Sequence, residues 1–395
     1  MDKKLREAFN QKFTKEHYEK HVSQFQSIAS KSPGFRIAET PVFINKELKN
    51  KLLEAGDEII ELISSKEFKQ ITDQSIPQLL AIPNEDEHPQ MMVVDFGICK
   101  DENGNIVPKL IELQGFPSLF AFQWFNDQLT RQYTSIPENY DSYLNGYNSE
   151  SYIELLKELL LEKHSIENVI LLEWHPDQQK TAIDFVCTEK LLGIKTVCLT
   201  TLIVDDNQLF YLNEDKKTKV EIIFNRVIFE EIKEELSKIK FDLNKAYDVK
   251  WIPHPNWYYR ISKYTLPFLL GKFIPKSFFL HEIKQPLALE KYVLKPLFSY
   301  AGKGVLIDVT SDDIDNITNP ENWILQEKVN YEPVVSTPEG DVKTEIRLFY
   351  FWKKEWKKPL AVHNLARMNK GNMIGTRFNN NDNWVGGTIA YFEKD

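Results

Sequence analysis

Residues 292–305 read Tyr-Val-Leu-Lys-Pro-Leu-Phe-Ser-Tyr-Ala-Gly-Lys-Gly-Val, a run suited to covering phosphate. A short apolar strand ends in Lys295 and Pro296. A loop from Ser299 then carries Gly302, Lys303 and Gly304, and a second apolar strand is expected at Val305-Leu306-Ile307. Glycines let successive backbone N–H groups close around an anion, and Lys295 and Lys303 add fixed positive charge. GxxxxGK[ST] is absent and a strand, not a helix, is expected next, so this is not a P-loop. A plain hairpin with solvated lysines would read the same way, and other residues must decide between the two.

A second chemical candidate lies far upstream. Asp101-Glu102-Asn103-Gly104-Asn105 separates two apolar runs, Met91 to Ile98 and Val107 to Leu113, and Asn-Gly is a strong hairpin signal. A two-residue turn at Asn103-Gly104 pairs Glu102 with Asn105. It then sets Asp95 opposite Glu112, Val93 opposite Gln114, Val94 opposite Leu113 and Phe96 opposite Ile111. One face is apolar; the other carries Asp95, Glu112 and Gln114. Opposed Cβ atoms lie about 4.5–5.5 Å apart, where like charges repel. Magnesium bound to substrate phosphates would offset the repulsion with oxygen ligands, and so would splaying into water. Gly115-Phe116-Pro117-Ser118-Leu119 follows as a tight turn of the kind that holds a site.

Cationic groups accumulate later: Arg260, Lys263, Lys295, Lys303, Arg347, Arg367 and Arg377. Alternation in Glu345-Ile346-Arg347-Leu348-Phe349-Tyr350 points Glu345, Arg347 and Phe349 to one face. Guanidinium groups suit phosphoryl or acyl-phosphate oxygens; each could equally be a surface ion pair. Trp323 to Val329 reads as a strand whose backbone, around Gln326, could meet adenine, with Glu327 at a ribose or base edge; a plain buried strand explains its apolar residues just as well.

The elements that would position these groups follow from length and patterning. A chain of 395 residues with 42% hydrophobic and 12% aromatic residues is globular and large enough for two or three lobes. Its formal charge of −9 disfavours general nucleic-acid binding. Cys99, Cys187 and Cys198 form no CxxC pair and fit a reducing compartment. No signal-peptide core and no membrane-length apolar run is visible, so a soluble cytoplasmic protein is expected. Lys46 to Ser64 has helical spacing, and a helix is expected from about Glu150 to Lys163. Val169 to Glu173, Asp177 to Leu192 and Lys195 to Leu199 read as strand, helix and strand, a right-handed βαβ unit in a parallel sheet. Leu209 to Leu212 and Val220 to Phe224 are expected to continue that sheet. Lys233 to Lys240 reads as a helix.

In this order the pieces resemble the circularly permuted ATP-grasp proteins, above all the synthetase domain of glutathionylspermidine synthetase. The match runs over roughly residues 90–125 and 220–390. It implies an α/β fold with α+β elements, an ATP-grasp core in permuted arrangement and a Rossmann-like βαβ subdomain. Residues 1–165 would hold the N-terminal part of the core with the hairpin, 166–250 the βαβ subdomain and 251–395 the nucleotide-binding lobes. The resemblance further implies ATP with two magnesium ions held by Asp95, Glu112 and Gln114, and phosphates held by Lys263 and Lys295 under a 299–304 lid. Arg367, with Arg347, would stabilise an acyl phosphate while a small-molecule amine displaces the phosphate from a small-molecule carboxylate. Gln114 stands where that family has Asn, and Val93 where it would place an arginine. A phosphotransferase and a non-catalytic nucleotide-binding protein are the rival expectations.

Overall fold

The computed structural model of the chain describes residues 1–29, 33–284, 287–299, 302–371 and 382–395. Met91–Lys100 and Ile106–Gln114 pair antiparallel, but the turn between them is one residue longer than the Asn-Gly dipeptide predicts: Lys100 faces Ile106. The Asp101 carboxylate accepts from the Asn103 and Asn105 amides at 3.0 and 2.8 Å, and Gly104 takes φ +82°. An aspartate that folds back on its own turn stabilises this wider loop. A bulge between Asp95 and Phe96 then shifts the register by one and cancels the first offset. Phe96 therefore faces Leu110, not Ile111, while Asp95 still faces Glu112, Val94 faces Leu113 and Val93 faces Gln114.

Met91–Lys100 pairs on its other side with Gly340–Phe351, which pairs with Leu360–Asn369 and, beyond it, Gly386–Thr388; Val335–Thr337 adds to Gly340–Phe351. Both faces of this antiparallel sheet are covered, so Met91 to Cys99 is buried throughout and shows no polar alternation. On one face Val94, Phe96, Leu348 and Tyr350 pack with Leu52, Ile59 and Ile60 of the helix Lys46–Ile63. That helix starts at Asn45, whose side chain accepts from the Leu48 amide at 3.1 Å. On the other face Met91, Val93, Phe349 and Phe351 pack against Phe120 and Phe122 of the helix Phe120–Tyr133 and Tyr152 of the helix Ser149–Leu161. Asp95, Arg347 and Glu345 continue that second face.

Val169–Glu173, Lys195–Cys198, Ile222–Asn225 and Lys250–Ile252 form an all-parallel sheet, and the helix Ala182–Leu192 completes the expected βαβ crossover. Two expectations fail nearby. Gln208–Asn213 belongs to a separate antiparallel meander with Ile203–Asp205 and Lys216–Val220; short apolar runs do not reveal which sheet they join. Lys233 to Lys240 gives only a short 3₁₀ turn, Lys233–Lys238.

Another sheet holds Ser277–Phe279, Trp323–Glu327 and Tyr292–Pro296. The strand expected at 305–307 does not form: Leu306 makes a single bridge to Leu294. Pro296 has no N–H to extend a ladder, and Gly302 and Gly304 at φ +71° and +76° turn the chain just before it. Among the described residues no helix is long and apolar enough to cross a membrane. The whole is a mixed α/β structure of several sheets.

The end of the hairpin is fixed by a close backbone approach. A Cβ on Gly115 would lie 2.2 Å from the Trp257 carbonyl oxygen, and the Gly115 amide donates to the Ile261 carbonyl at 2.8 Å. Gly115→Ala is expected to cost about 3 kcal/mol of stability, read by urea denaturation, because backbone cannot yield as a side chain does.

Candidate active site

Lys295 lies on Tyr292–Pro296 opposite Ile324, with 8% of its surface exposed. Its Nζ donates to Gln326 Oε1 at 2.5 Å and to the Ile111 carbonyl at 3.2 Å. The lysine strand and the upstream hairpin therefore meet. Lys263 opens the helical turn Lys263–Phe268, whose Ser262 hydroxyl accepts from the Tyr264 amide. Lys263 Nζ donates to the Ser299 carbonyl at 2.5 Å and stands 4.0 Å from Glu112 Oε2. Burial lowers the Lys263 ammonium, with Glu112 opposing. Burial brings Lys295 down to about 8, again against Glu112 and helped by Lys263.

Gln114 Nε2 donates to Glu112 Oε1 at 2.7 Å. Glu112, Gln114, Phe116, Tyr258, Lys263 and Ser299 enclose a cavity of about 60 Å³. A far larger concavity, about 700 Å³, runs beside Lys46–Ile63, but Glu54, Asp57, Glu58 and Glu61 give it the wrong sign for phosphate.

Asp95 is wholly buried and held by two arginines. Arg347, its register partner on the adjacent strand, donates Nε to Oδ1 and Nη2 to Oδ2, each at 2.6 Å. Arg367 Nη2 donates to Oδ2 at 2.7 Å and reaches Glu345 Oε2 at 3.0 Å. Burial alone would raise the Asp95 pKa; the charges of Arg347 and Arg367 outweigh it and hold the carboxyl low. Glu345 has less compensation, and burial pushes it up to about 7 against the pull of Arg367. The Tyr331 hydroxyl donates to its Oε1.

A further cluster, absent from the sequence reading, sits at the carboxyl ends of the parallel strands. Glu173, Asn225 and Arg226 are buried there, where the chain leaves the central pair Val169–Glu173 and Ile222–Asn225 for opposite edges of the sheet. Such crevices are the usual ligand sites of parallel sheets. Arg226 Nη1 donates to the Pro117 carbonyl, and its guanidinium lies 4.8 Å from the Phe116 ring centre. Burial raises Glu173 to about 8, with Arg226 opposing. Asp184 accepts from the Leu119 and Phe122 amides at 2.8 and 2.9 Å, so the turn after Gln114 is pinned from the βαβ unit. The buried nitrogens Asn225 Nδ2, Arg226 Nε, Gln326 Nε2 and Arg367 Nε have no hydrogen-bond partner among the described residues. Each could donate to an oxygen-rich ligand, although Glu345 Oε2, an acceptor, is likewise without a hydrogen-bond partner among the described residues. The signal for the cluster was the end of each parallel strand, but its strand order is tertiary information.

The remaining predicted residues lie at the rim. Gly302, Lys303 and Gly304 are exposed. Residues 300 and 301 of the expected 299–304 lid lie outside the described residues. Glu327 Oε2 accepts from the Lys276 amide at 3.0 Å. Arg260 is structural: it is buried against Glu85, with Nε to Oε1 at 2.7 Å. Among the described residues no group of three or more His, Cys, Asp or Glu is arranged for a metal. A carboxylate and an amide oxygen, Glu112 and Gln114, do fit a magnesium ion that takes its other ligands from phosphate and water.

No protein-family model matches the chain, and no curated protein matches it in sequence. Its structure is similar to that of a glutathione synthetase-like effector, GSS30, from Globodera pallida in apo form. The likeness covers 95% of this chain and 96% of that one, at a TM-score of 0.56 and 13% identity. At that identity what is shared is the fold: the chain has a glutathione synthetase-like fold.

Proposed function

We propose that this protein is an ATP-dependent carboxylate–amine ligase of the ATP-grasp type. One observation carries the reading: two buried ammonium groups, a carboxylate–amide pair and a pair of arginines converge on one face from segments distant in sequence. Lys263 and Lys295 would hold the ATP phosphates, Gln326 and Glu327 would contact the nucleoside, and Ser299, Gly302, Lys303 and Gly304 would lie over the phosphates. Glu112 and Gln114 would hold magnesium, whose charge would draw electron density from the transferring phosphoryl group. Arg347 and Arg367 would orient the acid carboxylate and stabilise charge on its phosphate, and Arg226 with Asn225 would bind the acid's distal end. A carboxylate oxygen attacks the γ-phosphorus and ADP leaves. The amine then attacks the acyl carbon, phosphate departs and the amine loses a proton. Lysine and arginine contribute positioning and fixed charge aimed at oxygens that become more negative.

The cavity beside Glu112 is too small for a triphosphate, so nucleotide entry exchanges the Lys263–Ser299 bond for a phosphate contact. Only the ammonium form of Lys295 attracts phosphate. With Lys295 titrating near 8, nucleotide affinity is expected to weaken about tenfold per pH unit above that value. Lys295→Arg keeps its charge and is expected to flatten the profile, as calorimetric titration with Mg-ATP between about pH 7 and 10 would show.

The functional test is phosphate release from Mg-ATP with a panel of amino acids, small peptides and polyamines. Release that needs both an acid and an amine and yields a joined product supports the ligase. A phosphorylated acceptor without free phosphate would identify a phosphotransferase. No ATP binding at millimolar concentration would overturn the reading.

A further inference from the structure

We infer that Asp95 is a positioning residue for a two-arginine carboxylate receptor and not a metal ligand, so that one magnesium ion accompanies the nucleotide. The inference deepens the ligase reading and rests on it. A carboxylate has about four lone-pair directions. Asp95 commits three of them to charge-assisted bonds at 2.6, 2.6 and 2.7 Å. The two-pronged bond to Arg347 is a matched fork that a point cation does not replace. A dication close enough to ligate Asp95 would also face both guanidinium groups inside a buried site, where like charges repel strongly.

Glu112 differs. It is partly exposed to the cleft, it touches Lys263 only at 4.0 Å, and its neighbour Gln114 donates through Nε2 and so leaves its amide oxygen available. The hairpin thus splits into two tasks. Glu112 and Gln114 address the nucleotide, whereas Asp95 addresses the strand on its other side.

The arginines in turn gain a defined pose. Arg347 comes from the register position opposite Asp95, and Arg367 bridges Asp95 and Glu345 while its Nε has no partner among the described residues. Position 93, where the family resemblance would place an arginine, holds a valine packed among Phe349 and Phe351. Tyr331 caps the arrangement through Glu345, and Gly97 leaves room for its ring, since a Cβ there would meet Tyr331 Cε1 at 2.6 Å.

Manganese can be counted by electron paramagnetic resonance in the presence of the non-hydrolysable nucleotide AMP-PNP. The expected result is one ion per chain in the wild type, one ion of unchanged affinity in Asp95→Asn, and at least tenfold weaker binding in Glu112→Gln. Asp95→Asn is also expected to keep AMP-PNP affinity within about twofold while acid-dependent phosphate release falls at least a hundredfold; a merely structural role would move both together. If Asp95→Asn does not fold, the charge-balanced double variant Asp95→Asn/Arg347→Gln takes its place, and the wild-type count stands alone. Two ions in the wild type, or loss of one with Asp95, would overturn the inference and leave the ligase reading intact. Absence of any nucleotide-dependent manganese binding would overturn both.

Discussion

Lys295→Met is expected to lower ATP-dependent phosphate release by about a thousandfold, or ~4 kcal/mol of transition-state stabilisation, while stability stays within about 2 kcal/mol of wild type. The two effects separate because Lys295 is a buried charge with poor compensation. Its ammonium is held by an amide oxygen and a carbonyl, and its pKa is depressed to about 8 by burial. Methionine fills a similar volume and removes the cost of burying charge. Against that gain, Gln326 Oε1 and the Ile111 carbonyl both lose this donor, at roughly 1–3 kcal/mol each. A group kept for stability would not be built this way. Steady-state phosphate release and urea denaturation read the two quantities, and a rate within tenfold of wild type would remove Lys295 from the phosphate site.

Arg347→Ala is expected to cost about 3–5 kcal/mol of folding stability, because it leaves Asp95 fully buried with only the bond from Arg367 of its three. Asp95→Ala/Arg347→Ala should cost less than the sum of the single changes, a coupling that a double-mutant cycle measures by denaturation. The acid limb of the stability curve carries the same information. Asp95 has a folded pKa below its unfolded value of about 3.9. Its stabilisation is therefore complete above that value and is lost as pH falls through the lower, folded one. Glu345 runs the other way. With a folded pKa near 7, it subtracts stability progressively between about pH 4.3 and 7. Glu345→Gln should flatten that slope.

Much of the candidate site's placement was legible because its residues sit on strands whose alternation survives in the sequence. Asp95, Glu112 and Gln114 share a face through hairpin register, and Lys295 precedes a proline that marks a strand end. Two errors cancelled there: the turn is longer than Asn-Gly implies, and a bulge after Asp95 restores the pairing. A bulge has no reliable signature, because its cause is what the strand packs against. The βαβ unit was legible from its spacing, whereas the fate of Gln208–Asn213 depended on neighbours the sequence does not name. Arg226, Glu173 and Glu345 were missed as site residues for a related reason. Each is an ordinary charged residue at a strand end or on a strand, and only burial beside its opposite charge makes it unusual. The arginine pairs were invisible for the same cause: Arg347 and Asp95 are 252 positions apart.

The most direct test of the account follows oxygen. Amino acids and small peptides labelled with ¹⁸O in the carboxylate are incubated with the protein, Mg-ATP and an amine pool, and the released phosphate is weighed by mass spectrometry. A carboxylate oxygen that attacks the γ-phosphorus leaves with it, so phosphate carrying one ¹⁸O per turnover is predicted. ATP turnover that yields only unlabelled phosphate, or labelled AMP, would contradict the account.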